Sequence, residues 1–243
     1  MNYKIILFDL DNTLIDFAAS QKAGLQCVHR KFYPEVKFDH LEACFKKINY
    51  ALWKCIHEVP ANQIRHLRFE QLNQTLDYHP ELEAVIASYE LSLSQQSQWF
   101  SGVKETIQRL HQASYIMGVI TNGFRQTQNP KYQNLKMDQW FDCFIISDEV
   151  KLAKPDKAIF HLAHEQLVMK HGKSLKEIDP KSILMVGDSL QSDGQGAHNA
   201  GFSFCWIAPH SAKRIEGVPI DHHYKSVAEL SKLLPPYVNP SSH

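Results

Sequence analysis

The strongest constraint in this chain is an alternation that recurs along most of its length. A short run of apolar, β-branched or aromatic residues is followed by a stretch whose apolar residues return every three to four positions. The runs are residues 4–8, 116–120, 143–147, 183–186 and 202–207, each too short for a helix and bounded by polar or turn residues. Between them, Val103, Ile107 and Leu110, and later Ile159, Phe160, Ala163 and Leu167, keep the spacing of one buried helical face. Strand alternating with helix predicts a parallel sheet covered on both sides, an α/β fold.

One long stretch departs from this rhythm. Leu41, Phe45, Ile48, Leu52 and Ile56, then Leu82, Val85, Ile86, Tyr89 and Leu93, all keep helical period. No strand pattern interrupts them, and of ten glycines only Gly24 falls there. The chain therefore predicts an α/β core over residues 1–16 and 99–243, with an all-helical unit inserted over 17–98.

Composition narrows what such a chain can do. With 44% hydrophobic against 21% charged residues it can bury a real core. Its 26 basic and 26 acidic side chains cancel, which leaves no global field for a nucleic-acid polymer or a membrane surface. Any phosphate group must be held locally. No apolar stretch approaches the roughly 20 residues of a membrane span, and the N-terminus is unlike a signal peptide, so a cytoplasmic location is expected. The five cysteines, Cys27, Cys44, Cys55, Cys143 and Cys205, are odd in number and form no CxxC pair, which favours reduced thiols. Fourteen histidines form no HExxH pattern, and His222-His223 reads as part of a polar loop.

The chemistry gathers where the predicted strands end. The first ends in Asp9-Leu10-Asp11-Asn12-Thr13-Leu14, the second in Thr121-Asn122-Gly123. Lys154-Pro155-Asp156 opens the helix after the third, with the proline expected in its first turn, and Gly187-Asp188-Ser189 through Asp193 follows the fourth. Each segment alone is explained by a turn, a helix cap or a solvated charge. Together they lie on the edge where open α/β sheets bind ligands. Carboxylates of Asp9, Asp11 and Asp188 converging there would repel one another without a cation, and an all-oxygen donor set suits Mg²⁺. A hydroxyl, backbone N–H groups and a lysine nearby supply what a phosphoryl group needs.

These four segments resemble the four motifs of the haloacid dehalogenase (HAD) superfamily, and the position of the helical insertion is similar to its C1 cap. The resemblance implies a Rossmann-like sheet and Mg²⁺-dependent transfer of a phosphoryl group from a small phosphorylated metabolite. On that pattern Asp9 is the nucleophile. Asp11 is the general acid and base and gives the metal its backbone carbonyl, and Asp188 is the further metal ligand. Thr121, Asn122 and Lys154 hold the phosphoryl group, and Asp193 orients Lys154 or a metal-bound water. An acid two residues after the nucleophile points to an oxygen leaving group, since a halide needs no protonation. Residues 121–124, 146–150 and 153–155, with Leu52-Trp53 and Arg68-Phe69, resemble the YjjG-type pyrimidine nucleotidases. Residues 9–16 and 125–128 resemble N-acylneuraminate-9-phosphatase. The first resemblance extends into the cap and is favoured. Trp53 or Phe124 could stack on a base, and Arg68 could reach the substrate from the cap; the same residues also read as ordinary packing and an exposed arginine.

Overall fold

A computed structural model describes residues 3–54, 61–95 and 97–234; Cys55 and Ile56 lie outside the described residues. The α/β unit comprises residues 1–16, 99–122 and 135–243. The helical unit comprises residues 17–98 and also 123–134, a segment that the sequence pattern assigned to the core.

In chain order the elements are β1 (Ile5–Phe8), α1 (Phe17–Phe32), α2 (Phe38–Lys54), α3 (Ala61–Leu76), α4 (Leu82–Gln95), α5 (Val103–Gln112), β2 (Ile116–Thr121), α6 (Arg125–Asn134), β3 (Cys143–Ile146), α7 (Ser147–Val150), α8 (Lys157–His171), β4 (Ile183–Gly187), α9 (Gln195–Ala200), β5 (Ser203–Ile207) and β6 (His222–Tyr224). The sheet runs β3-β2-β1-β4-β5-β6 and every pairing is parallel. β1 is central: Ile5 is in register with Ile116 on one side and with Ile183 on the other. All four of its residues are buried, as a strand covered on both faces requires. Chain order reverses between β1 and β4, so a crevice is expected outside their carboxyl ends.

On one face, Ile159, Phe160, Ala163 and Leu167 of α8 pack with Ala197 and Ala200 of α9 against Ile5, Leu7, Met185 and Phe204. α5 is amphipathic and buries Val103, Thr106, Ile107 and Leu110. Pro155 precedes the N-cap of α8 instead of entering its first turn, because Asp156 takes the cap and accepts the Ala158 N–H. The segment expected as a loop at His222-His223 forms β6 instead, with Cys205 in register with His222.

The helical unit has its own core, in which Leu25, Val28, Phe45, Phe69, Val85 and Tyr89 are fully buried. The Phe45, Phe69 and Tyr89 rings meet with centroids 5.1–5.3 Å apart. Gly24 allows α1 to approach α4 closely, since a Cβ there would come within 3.1 Å of the Tyr89 ring. α6 joins this unit through Asn134, whose Nδ2 donates to the Ser94 carbonyl at 3.0 Å. Among the described residues no helix is long and apolar enough to cross a membrane.

Candidate active site

Asp9 follows β1 directly, and its N–H donates to the Val186 carbonyl of β4 at 2.9 Å, which fixes it at the reversal point of the sheet. The chain then turns sharply. The N–H groups of Leu14 and Ile15 both donate to the Leu10 carbonyl, and Asn12 adopts φ 63°, a conformation that asparagine tolerates. Asp11 lies on this turn, half-buried and bridged to Ile15.

Lys154 is buried at the centre. Its Nζ donates to Asp9 Oδ1 at 2.6 Å and to the Ile120 carbonyl at 2.9 Å, and lies 2.7 Å from Asp193 Oδ1. Two hydrogen bonds and a close ion pair thus surround the ammonium. Asn122 holds the same residue by its backbone: Asn122 Nδ2 donates to the Lys154 carbonyl, and the Lys154 N–H donates to Asn122 Oδ1, each at 2.9 Å. Thr121 ends β2 and is buried.

Asp193 is fully buried on the π-helical turn Leu190–Gly194. Its Oδ2 accepts the Ser189 N–H at 3.0 Å, and its own N–H donates to the Ser189 carbonyl at 2.9 Å. Gly187 makes room for it, since a Cβ there would collide with the Asp193 carboxylate. Trp206 Nε1 donates to the Asp188 carbonyl at 2.9 Å and so anchors that residue's backbone.

Carboxylate oxygens of Asp9, Asp188 and Asp193 all lie within 4.8 Å of one another. Burial, with the Asp193 charge adding to it and Lys154 opposing, pushes the Asp9 carboxyl up to about 7. Burial and the charges of Asp9 and Asp193 likewise raise Asp188 well above the usual carboxylate range. For Lys154 burial alone would lower the ammonium, but Asp193 and Asp9 outweigh it and hold it above its ordinary value. Three carboxylates against one ammonium leave excess negative charge. An all-oxygen donor set of this kind fits a hard divalent cation.

The structure thus brings Asp9, Asp188, Asp193 and Lys154 together, with Asn122 as a clamp. Asp11 stands outside the three-carboxylate group, although that group does not bear on its backbone carbonyl. Trp53 and Arg68 each meet Phe124 in the helical unit. Trp53 packs on Phe124 with centroids 5.6 Å apart. The Arg68 guanidinium lies 4.8–5.3 Å from the rings of Tyr89, Phe69 and Phe124. Arg68 is only 4% exposed, unlike the solvated arginine that a helix position suggests. Burial lowers its pKa, and Glu90, whose Oε1 lies 3.8 Å from its Nη2, accepts a short hydrogen bond from Arg65 on each carboxylate oxygen. The sequence reading missed the Asn122 side-chain clamp, the space at Gly187 and the Ser189 contact. Only the Gly-Asp pair at the end of β4 offered a signal.

Against known proteins, the family model described as haloacid dehalogenase-like hydrolase matches residues 6–207. The chain is 29% identical over 238 residues to pyrimidine 5′-nucleotidase YjjG of Escherichia coli, covering 96% of this chain and 99% of that one. It is 28% identical over 213 residues to pyrimidine 5′-nucleotidase PynA of Streptococcus pneumoniae, covering 86% of each. The structure of the putative HAD-hydrolase YfnB from Bacillus subtilis superposes with a TM-score of 0.83 at 23% identity, over 97% of this chain and all of that one. With the family model spanning every strand from β1 to β5, the chain belongs to the haloacid dehalogenase-like hydrolases.

Proposed function

We propose that this chain is a phosphomonoester hydrolase for pyrimidine nucleoside 5′-monophosphates, with Asp9 as its nucleophile. The observation that carries the reading is the seating of Asp9: fixed to β4 by its N–H, 2.6 Å from a buried ammonium, at the reversal point of the sheet. Its carboxylate oxygen would attack phosphorus as the bond to the leaving oxygen breaks, and Asp11 would hand that oxygen its proton. Water would then attack the same phosphorus with Asp11 taking its proton, releasing phosphate and restoring Asp9. Lys154 would neutralise charge on the phosphoryl oxygens, with the Thr121 hydroxyl and the Asn122 N–H donating to them. Asp193 would keep the ammonium in place. Asp9 and Asp188, with the Asp11 carbonyl, would hold Mg²⁺, which when bound screens the charge of nucleophile and phosphoryl group alike.

The substrate class rests on YjjG and PynA, both named as pyrimidine 5′-nucleotidases. In the helical unit, Arg68 would act as a positioning residue. Caged by three rings, it fixes Phe124, three residues beyond Thr121, and Trp53 packs on the same ring. Free thiols at Cys27, Cys44, Cys143 and Cys205 suit a reducing compartment, the cytoplasm.

The test is Mg²⁺-dependent phosphate release from UMP, TMP, purine monophosphates, hexose phosphates and N-acylneuraminate 9-phosphate. Pyrimidine monophosphates are expected to lead. Asp9→Asn should lose at least about a thousandfold in rate, about 4 kcal/mol of barrier, and Arg68→Met should flatten the substrate ranking. A lead for the sialic acid ester would overturn the substrate class and leave the reaction standing. Release by Asp9→Asn above a tenth of the wild-type rate would remove Asp9 as nucleophile.

A further inference from the structure

The peptide unit that joins Asp188 to Ser189 is gripped at both ends by side chains. Its carbonyl accepts the Trp206 indole N–H at 2.9 Å, and its N–H donates to Asp193 Oδ2 at 3.0 Å. A peptide unit is planar, so two such bonds leave it little freedom to turn about the Cα–C bond of Asp188. That freedom would otherwise be large. Asp188 is the first residue beyond β4, past the end of the parallel ladder, and it follows Gly187, the residue type with the most permissive backbone. Without the two grips its carboxylate would swing with its backbone.

One grip belongs to the site already described, since Asp193 also holds Lys154. The other comes from outside it. Trp206 lies in β5, two strands away from β1 in the sheet. It is in register with Gly187 on one side and with His223 on the other. Residues in register on parallel strands share a face of the sheet, and Gly187 brings no side chain to that face. On the other side the His223 imidazole stacks on the indole, with centroids 4.5 Å apart and planes 27° apart. That imidazole is itself fixed, because its Nε2 donates to the Ala208 carbonyl at 3.1 Å. Trp206 is only 3% exposed, so its ring is held by packing while its N–H reaches the Asp188 carbonyl.

We propose that Trp206 is a positioning residue for Asp188. By fixing the Asp188–Ser189 peptide it sets the direction of the Asp188 carboxylate, and with it the affinity of the carboxylate cluster for a divalent cation. The inference rests on the reading that Asp9 and Asp188 hold Mg²⁺.

The experiment is a calorimetric titration of Mg²⁺ into the wild type, Trp206→Phe and Leu167→Ala, with amide exchange at Ser189 followed in the metal-free proteins. Phenylalanine keeps a buried ring and loses the N–H. Leu167→Ala opens a cavity at α8 and lowers stability without removing either grip. Trp206→Phe is expected to raise the Mg²⁺ dissociation constant about tenfold, as loss of a partner behind a metal ligand does, and to speed Ser189 exchange. Leu167→Ala should leave the dissociation constant unchanged. If Trp206→Phe does not fold by circular dichroism, His223→Ala, which strips the stack from the indole at a half-buried position, carries the test with both changes in the same direction. An unchanged constant, unchanged Ser189 exchange, or an equal rise of the constant in Leu167→Ala would overturn the proposal and leave the metal reading standing. A wild type that takes up no Mg²⁺ would remove the metal reading and this inference with it.

Discussion

At Lys154 the residue scale is the decisive one, because the three oxygens around its ammonium come from beside three different strands. Asp9 follows β1, Ile120 lies in β2 and Asp193 follows β4. That convergence depends on an atom that is missing: Gly187 has no Cβ where the Asp193 carboxylate sits. Gly187→Ala must therefore displace Asp193 or bend β4, an overpacking cost of about 1–3 kcal/mol. Its urea midpoint should fall, and phosphate release should fall further, since the displaced carboxylate no longer seats Lys154. A variant with wild-type midpoint and rate would show that the crowding is relieved elsewhere at no cost. The cluster was legible in sequence as far as its residues sit in short polar segments, Asp9 and Asp188 directly after β1 and β4 and Lys154 in the turn before α8. The Asn122 clamp was not, because its partner lies 32 residues away and only the folded sheet brings the two together.

Among the elements, β6 most separates pattern from fold. Its three residues are half-buried, and two are histidines, so nothing apolar alternates. It becomes a strand because β5 offers an open parallel edge and because Tyr3 Oη meets His222 Nε2 at 2.7 Å. The five longer strands announced themselves as runs of apolar residues, whereas β6 exists only as an addition to them. Burial holds the His222 imidazole below its ordinary pKa, with Asp221 opposing. The unfolded chain takes up a proton near pH 6.5, while the folded one resists it, so this group's contribution to stability is full above that value and is lost as pH falls below it through the lower pKa of the folded state. His222→Gln is expected to lose less stability than the wild type between pH 7.5 and 5.5, as measured by urea midpoints at each pH. Equal losses would mean that His222 ionises freely in the fold.

Over the whole molecule, the chain maintains two cores with different chemistry. The α/β core is built of β-branched and aliphatic strand residues beneath α8 and α9, while the helical core is centred on three aromatic rings. The α/β unit is drawn from separated stretches of chain, so its sheet must close over a long insertion, at an entropic cost that grows only slowly with length. An insertion with its own core can fold locally, which lowers that burden and leaves each unit with its own stability. Phe45→Ala tests this division. Removing a buried ring should cost the helical unit about 3–5 kcal/mol. Amide exchange should then accelerate across α1, α2 and α4 while β1, β2 and β4 keep their wild-type protection. If protection fell equally in the strands, the two cores would be one cooperative unit, and the separation of binding chemistry in the sheet from the aromatic core of the insertion would have no thermodynamic counterpart.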